Sequence, residues 1–216
     1  MKKSSMTMID DFKLLEKNKF RLLPYGLATT EDEAVSLAKK IGYPIAMKIV
    51  SPEIVHKTDV GGVKIGIKND EVVRYTYREL IASAKEKKID GILVQKMARK
   101  GIELIIGGVY DQQFGHVIVL GFGGVYVEVF KDITARICPI TKADVREMVM
   151  ELKSHPILMG ARGKKAINIA GLEELMIKTC KFMAKENIQE IDINPVVFDE
   201  KGYDIVDVRF KTKVSL

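Results

Sequence analysis

Residues 45–63 read Ile-Ala-Met-Lys-Ile-Val-Ser-Pro-Glu-Ile-Val-His-Lys-Thr-Asp-Val-Gly-Gly-Val, and they decide the fold of the N-terminal half of the chain. The segment Ile45–Val50 is apolar except for Lys48, which is typical of a buried strand. Ser51–Gly62 contains a proline, an aspartate and a glycine pair, as loops do, and Val63–Ile67 then alternates apolar and polar residues. The stretch therefore predicts two strands joined by a glycine-bearing loop.

Helical patterns flank these two strands. Thr30 and Glu33 form a capping-box pattern, and the apolar residues that follow at helical spacing predict a helix ending at Gly42. Asp70 is predicted to cap a second helix, and Gly91–Met97 is the next predicted strand. A helix between successive strands favours an α+β lobe.

The second half of the chain is richer in strands. Glu103–Val109, Gly115–Leu120 and Val125–Phe130 are predicted strands separated by glycine turns. Such short connections favour an antiparallel meander, because parallel strands need a longer crossover. The pattern predicts four further elements. They are a helix that Thr141 and Asp144 open and that ends at about Lys153, a helix at Leu172–Glu186, and strands at Ile191–Phe198 and Asp204–Phe210.

The composition shift near residues 95–101 predicts two α+β lobes, at 1–96 and 97–216. The first lobe would hold the glycine loop, and the second would hold the acidic strand around Asp192. A cleft between two such lobes is a usual place for a small-molecule site.

Composition places the chain among ordinary globular proteins, with 47% hydrophobic and 30% charged residues. No apolar run approaches a membrane span, and no apolar segment follows the basic N-terminus as in a signal peptide. We therefore expect a cytoplasmic protein without a membrane partner. Cys138 and Cys180 lie far apart and form no metal-ligand pattern, so we expect two reduced core thiols.

The net charge of +6 raises the question of nucleic acid. The basic residues are spread along the chain, and there is no tryptophan or interleaved aromatic strand on which bases could stack. Composition therefore argues against a nucleic-acid partner.

Lys48 and the glycine pair Gly61-Gly62 are candidates for phosphate binding. Lysine supplies a point charge, and glycines let backbone N–H groups approach phosphate oxygens. The alternative is an ordinary tight turn. No Walker loop is present to decide between them.

Asp192 and Asn194 are candidates for a metal site. Residues two apart in a strand point to the same face, so these side chains present two hard oxygen ligands of the kind that Mg²⁺ binds. Asp204 or Asp207, on the following strand, would add a carboxylate. A polar sheet face that ends at Pro195 is the alternative.

Three histidines occur in the chain. His56 lies in the glycine loop beside Lys57, and a neutral imidazole is a competent phosphoryl acceptor. His116 lies in a predicted strand and His155 precedes a proline, so a structural role is expected for both.

Taken together, these segments resemble the β subunits of ADP-forming acyl-CoA synthetases, which have the ATP-grasp fold. The resemblance covers about residues 22–212. It is carried by Ala-Thr-Thr-Glu-Asp-Glu-Ala34, Ile-Gly-Tyr-Pro-Ile-Ala-Met-Lys48, the loop Ser51–Val63, Asp-Gln-Gln-Phe-Gly115, Gly-Phe-Gly-Gly-Val-Tyr-Val-Glu-Val129 and Asp-Ile-Asn-Pro195.

The resemblance implies a nucleotide site for ATP or ADP between the two lobes. Lys48 would touch the α and β phosphates, and Glu103 would approach the ribose. Mg²⁺ would be the metal, and Arg136 would steady a phosphoryl group. The remaining implied ligands are Lys57, Gly61 and Gly62 in the phosphate loop, Gln95, Lys96 and Met97 at the adenine hinge, and Asp192, Asn194 and Asp207 around the metal.

His56 matches the second phosphohistidine of that family. It would take phosphate from a histidine of a CoA-binding α subunit and deliver it to ADP. Because CoA-binding and ligase segments do not occur in these 216 residues, a separate α chain is implied, in a hetero-oligomer such as α2β2.

Two other functions compete with this one. An ATP-grasp tail of a protein acetyltransferase would need a fused acetyltransferase domain, for which 216 residues leave no room. A non-catalytic nucleotide-sensing module would keep Lys48 but would not need His56, Asp192 and Asn194 together. The joint presence of these three residues favours catalysis.

Overall fold

The structure is a computed structural model that describes residues 7–54, 60–84, 87–123, 132–163 and 165–212. The chain divides into two compact units. Unit 1 comprises residues 1–16 and 22–97, and unit 2 comprises residues 17–21 and 98–216.

Unit 1 contains an antiparallel sheet with two helices packed on one face. The sheet order is β1-β4-β2-β3, and α2 and α3 pack against each other and against the central strands. The helix α1 precedes these elements. The elements are α1 (Met8–Lys17), β1 (Tyr25–Ala28), α2 (Glu31–Ile41), β2 (Ile45–Val50), β3 (Val63–Ile67), α3 (Asp70–Ser83) and β4 (Gly91–Lys96).

The ends of α2 and α3 follow local sequence signals. The Thr30 side chain accepts a hydrogen bond from the backbone of Glu33, and Gly42 ends α2 with a φ of 83°, a conformation that suits glycine. The cap of α3 is Asn69, whose side chain accepts from Val72, and not Asp70 as predicted. Asp70 is instead the first residue of the helix.

The core of unit 1 lies between the helices and one face of the sheet. Met47, Ile49, Val94 and Leu80 are completely buried there. Helix α1 buries Phe12, whose ring meets that of Tyr25 edge-on at 4.9 Å.

Unit 2 contains a larger antiparallel sheet, which has six strands within the described residues. The order is β10-β8-β5-β6-β7, and β9 pairs with β8. The predicted antiparallel pairing is confirmed for β5 and β6, and β7, which the sequence did not predict, continues the antiparallel order. The elements are β5 (Ile102–Asp111), β6 (Gly115–Phe122), β7 (Ile133–Ile137), α4 (Lys142–Glu151), α5 (His155–Leu158), a 3₁₀ turn (Ala161–Gly163), α6 (Ile169–Lys185), β8 (Ile188–Phe198), β9 (Tyr203–Ile205) and β10 (Val208–Thr212).

Helices α4 and α6 cover one face of this sheet, which we call the helix face; the opposite face is called the far face. Ile106, Ile118 and Ile193 lie on the helix face and are completely buried. Gly108 also lies there, and a Cβ at this position would come within 2.6 Å of the Met183 sulfur of α6. Glycine therefore permits the close approach of α6 to β5.

One strand prediction differs from the structure, and another is not tested by it. Asp204–Phe210 is not one strand, because Val206 and Asp207 leave the ladder between β9 and β10 and bond back to the Asn194–Pro195 backbone. The predicted strand Val125–Phe130 lies outside the described residues. Among the helices that the structure describes, none has the length and apolar character needed to cross a membrane.

The expectation of two reduced thiols is wrong for this structure, in which Cys138 and Cys180 form a disulfide. Cys138 follows β7 and Cys180 lies in α6, so the bond joins the sheet to the helix that covers it. It closes a sequence separation of 42 residues.

We expect reduction of this disulfide to lower the free energy of unfolding by about 2–4 kcal/mol, because the crosslink restricts the unfolded chain. Urea denaturation with and without dithiothreitol measures the change. A Cys138→Ser, Cys180→Ser double variant is the control, and its unfolding should not respond to the reductant. Two titratable thiols in the unreduced, denatured protein would contradict the bond.

Candidate nucleotide site

Lys48 and Gln95 share one face of the unit 1 sheet. Strands β2 and β4 are antiparallel, with Ala46 opposite Gln95 and Lys48 opposite Leu93. Since Met47 and Val94 belong to the helix-covered core, the alternation of side chains directs Lys48 and Gln95 to the other face. The exposed fraction is 3% for Lys48 and 1% for Gln95. The structure thus brings two of the predicted nucleotide ligands onto one buried surface.

The side-chain amide of Gln95 contains a hydrogen-bond donor that is not used. Within the part of the chain that the structure describes, its buried Nε2 meets no acceptor. A buried polar group left unpaired costs about 1–3 kcal/mol, so such groups call for an explanation. A ligand that carries an acceptor atom would satisfy this amide.

The glycine pair at the start of β3 lies next to Lys48 in the sheet. Val63 is paired with Lys48, and the Gly62 carbonyl accepts a hydrogen bond of 2.9 Å from Ile49. Gly61 has a φ of 67°, and an added Cβ there would meet no atom within 4 Å. Its requirement for glycine is therefore conformational. His56 and Lys57 lie outside the described residues.

The two hinge residues after Gln95 are both engaged within unit 1. Lys96 donates from Nζ to the carbonyls of Gly42, at 2.7 Å, and Tyr43, at 3.0 Å. Its ammonium thus stabilises the C-terminal end of α2, where a positive charge is favoured. The Met97 sulfur accepts a hydrogen bond from the Gly66 backbone. The Lys96 side chain is therefore held within unit 1, and its backbone N–H donates to the Pro24 carbonyl at 2.8 Å.

Asp192, Asn194 and Asp207 lie together in unit 2. Asp192 and Asn194 are on the far face of β8, and the Asn194 side chain hydrogen-bonds the Asp192 carboxylate. The backbone of Asn194 donates to the Asp207 carbonyl at 3.1 Å. Within the described ranges there is no cluster of three or more His, Cys, Asp or Glu side chains fit to hold a metal. The set therefore offers few protein oxygens, and a bound cation would need others.

The Asp192 carboxylate lies in an electrostatic setting that favours a cation. Burial raises its pKa, and the nearby carboxylates of Asp207 and Glu190 raise it further, while Arg209 and the Asn194 hydrogen bond act in the opposite direction. A divalent cation would offset both the burial and the repulsion. The donor set, two carboxylates and an amide, consists of the hard oxygens that Mg²⁺ binds.

Glu103 and Arg136 lie on opposite faces of the unit 2 sheet. Glu103 is exposed, and it alternates along β5 with the buried Leu104, which places it on the far face. Arg136 is in register with Ile118 of the helix face. It forms two hydrogen bonds with Glu151 of α4, at 2.5 and 3.0 Å.

Arg136 therefore lies on the opposite face of the sheet from the predicted metal ligands. Asp192 is in register with Gly107 of β5, and Gly107 with Val119 of β6, so the acidic cluster lies on the face that Arg136 does not share. Sequence reasoning instead missed Arg209, which lies directly opposite Asp192 on the neighbouring strand. The alternation of Val208, Arg209 and Phe210 within a predicted strand was a usable signal for it.

The chain matches the family model described as ATP-grasp domain over residues 2–212. The chain therefore belongs to the ATP-grasp family, and its two units have that fold. It is 44% identical over 190 residues to the β subunit of acetate–CoA ligase [ADP-forming] I of Pyrococcus furiosus, which spans 86% of this chain and 82% of that subunit.

Other relatives are longer or have solved structures. Acetate–CoA ligase [ADP-forming] I of Archaeoglobus fulgidus is 42% identical over 201 residues, but this chain spans only 29% of its length. The dinucleotide forming acetyl-coenzyme A synthetase 1 of Ca. Korarchaeum cryptofilum, solved with coenzyme A and Ca-AMPCP, superposes with a TM-score of 0.92 at 38% identity. That match covers 97% of this chain and 93% of the other.

We expect Arg136→Gln to leave ADP affinity within about twofold of the wild-type value, because a side chain on the helix face does not reach a far-face ligand. Its thermal midpoint should fall, since Glu151 loses its partner. Calorimetric titration with ADP and Mg²⁺, together with a melting curve, tests both expectations. A tenfold or greater loss of affinity would restore Arg136 to the site.

Proposed function

We propose that this chain is the nucleotide-binding β subunit of an ADP-forming acyl-CoA synthetase, which converts acyl-CoA, ADP and phosphate to acid, CoA and ATP. The observation that carries the proposal is the buried face of unit 1 that holds Lys48 and the Gln95 amide, whose Nε2 has no acceptor among the described residues. A lysine and a free donor on one surface suit an anionic ligand with acceptor atoms, as a nucleotide is. The reaction is proposed by similarity to the relatives that are named as β subunits of acetate–CoA ligases.

Lys48 would bind the α and β phosphates of ADP, and Gly61 and Gly62 would offer backbone N–H groups to phosphate oxygens. The Gln95 amide would donate to the adenine base, and Met97 would pack against it. Glu103 would approach the ribose.

Asp192, Asn194 and Asp207 would hold Mg²⁺, which neutralises charge on the phosphate oxygens when it is bound. The fit rests on their hard oxygen atoms and on the raised pKa of Asp192. Because these three residues offer few oxygens, phosphate and water would supply the remaining ligands. A structure of the Korarchaeum enzyme contains Mg-AMPPCP, which supports the choice of metal.

His56 would be the phosphoryl carrier between two sites. A ring nitrogen takes the phosphoryl group from a phosphohistidine of the α chain, which is released as free imidazole. The bond to His56 then breaks as a terminal oxygen of ADP takes the group to form ATP. Another structure of the Korarchaeum enzyme contains a phosphorylated phosphohistidine segment, which supports the relay by analogy.

The α chain would supply CoA binding and the choice of acid. A 4-hydroxybutyrate–CoA ligase of Nitrosopumilus maritimus matches this chain at 43% identity, much like the acetate enzymes, and the chain spans 27% of its length. Similar matches to enzymes for different acids support an acyl pocket outside this subunit. A hetero-oligomer such as α2β2 in the cytoplasm is the assembly we propose. A disulfide is compatible with a cytoplasmic location chiefly in hyperthermophiles, because such bonds are otherwise rare in the cytosol.

We expect Lys48→Ala to weaken ADP binding about tenfold or more, through loss of a charge-assisted phosphate contact, without unfolding the protein. Calorimetric titration with ADP and Mg²⁺ measures the affinity. Lys64→Ala is the matched control, because it removes the same charge from the neighbouring strand, where Lys64 pairs with Glu79 of α3. Equal affinity in the Lys48 variant and the wild type would remove Lys48 from the site.

We expect His56→Ala to bind ADP normally but to make no ATP from acyl-CoA and phosphate when combined with the α chain. The α chain should still become phosphorylated, because its own histidine is intact. Mass spectrometry under conditions that preserve acid-labile phosphate should find the modification on His56 in the wild type. His155→Ala should retain ATP synthesis, since that ring is bound to the Leu152 carbonyl in unit 2. Near-normal ATP synthesis by the His56 variant would rule out the relay.

A further inference from the structure

The far face of unit 2 contains one arginine next to the acidic cluster. We propose that Arg209 is a phosphate-binding residue of the nucleotide site, in the role that the sequence resemblance implied for Arg136. The inference rests on the proposed function, because it requires a polyphosphate ligand on this face.

The position of Arg209 follows from its neighbours in β10. Val208 is almost completely buried, and the Phe210 ring meets that of Phe182 in α6 edge-on at 5.7 Å, so both side chains lie on the helix face. Arg209 lies between them and therefore points to the far face. There it stands directly opposite Asp192 in the β8 ladder.

Arg209 is half-buried, and the structure describes no side chain that binds its guanidinium. Among the described residues it forms no hydrogen bond or ion pair, although its charge acts on Asp192. Arg99, by contrast, pairs with Asp199 and Asp204, and Arg136 pairs with Glu151. On the same strand, Lys211 pairs with Glu190. Arg209 is thus a cation on the far face with its donors available to a ligand.

Guanidinium chemistry points to the class of ligand. Arginine presents a rigid fork of N–H donors that fits two phosphate oxygens at once. A metal ion alone would be repelled by Arg209, whereas a phosphate group beside the metal would be attracted by it. The two ligands therefore respond with opposite signs to removal of this charge, and a structural role for Arg209 does not produce that difference.

The test compares Arg209→Gln with the wild type and uses two separate probes. One probe is ADP with EDTA present, and the other is Mn²⁺ without nucleotide. Calorimetry should show ADP binding weakened about tenfold or more, the size expected for a charge-assisted pair of hydrogen bonds. Paramagnetic resonance of free Mn²⁺ should show metal binding that is unchanged or tighter. Arg209→Lys should recover part of the ADP affinity, because it restores the charge but not the fork.

Lys211→Gln is the matched control, because it removes one positive charge from the same strand and face at a residue already paired with Glu190. It should bind ADP as the wild type does. Unchanged ADP affinity in Arg209→Gln, or a parallel loss of ADP and Mn²⁺ binding together with a lowered melting temperature, overturns the proposal. If the wild type itself binds no ADP with Mg²⁺, the proposed function fails as well, and the two failures are thereby distinguished.

Discussion

In each unit of this protein two helices pack on one face of the sheet, and the alternation of side chains between that face and the other one determines where the candidate ligands lie. In unit 1, Met47 and Ile49 face α2 and α3. In unit 2, Gly108 accepts α6 at close range because it has no side chain. Side chains in a strand alternate between faces, so the residues between these core positions are directed to the other side. Lys48 and Asp192 are two such residues, which means that the pattern that builds each core also positions the candidate ligands.

Local signals were sufficient for the elements whose ends are determined by neighbouring residues. The helix that Thr141 and Asp144 open is present, and these two residues form a capping box at its start. The short turn between β5 and β6 joins antiparallel strands, as predicted. Helix α1 carried too weak a pattern, because Phe12 and Leu15 become core residues only through packing. The break between β9 and β10 was also hidden, since it depends on backbone bonds to the Asn194–Pro195 segment of another strand.

The sequence indicated which residue types form the candidate site, but not always the direction in which each side chain points. The motif that contains Arg136 matched a family pattern, yet the register of β7 directs this side chain to α4. Lys96 likewise matched a hinge position, but two carbonyls at the end of α2 hold its ammonium. The disulfide of Cys138 and Cys180 lay beyond sequence reasoning for a different reason. Pairing across 42 residues is decided by which helix packs on β7's side of the sheet, and that is a tertiary property.

The charges along β8 and β10 show why the far face suits a metal and a polyphosphate together. Glu190 is compensated by Lys211 at one rung of the ladder. Two rungs further along the same face, Asp192 faces Arg209 without an ion pair, and the second carboxylate, Asp207, lies close enough to raise the pKa of Asp192. A cation alone would be attracted by Asp192 and repelled by Arg209, and a phosphate alone would experience the reverse. A metal–nucleotide complex carries both signs of charge and therefore suits Asp192 and Arg209 together.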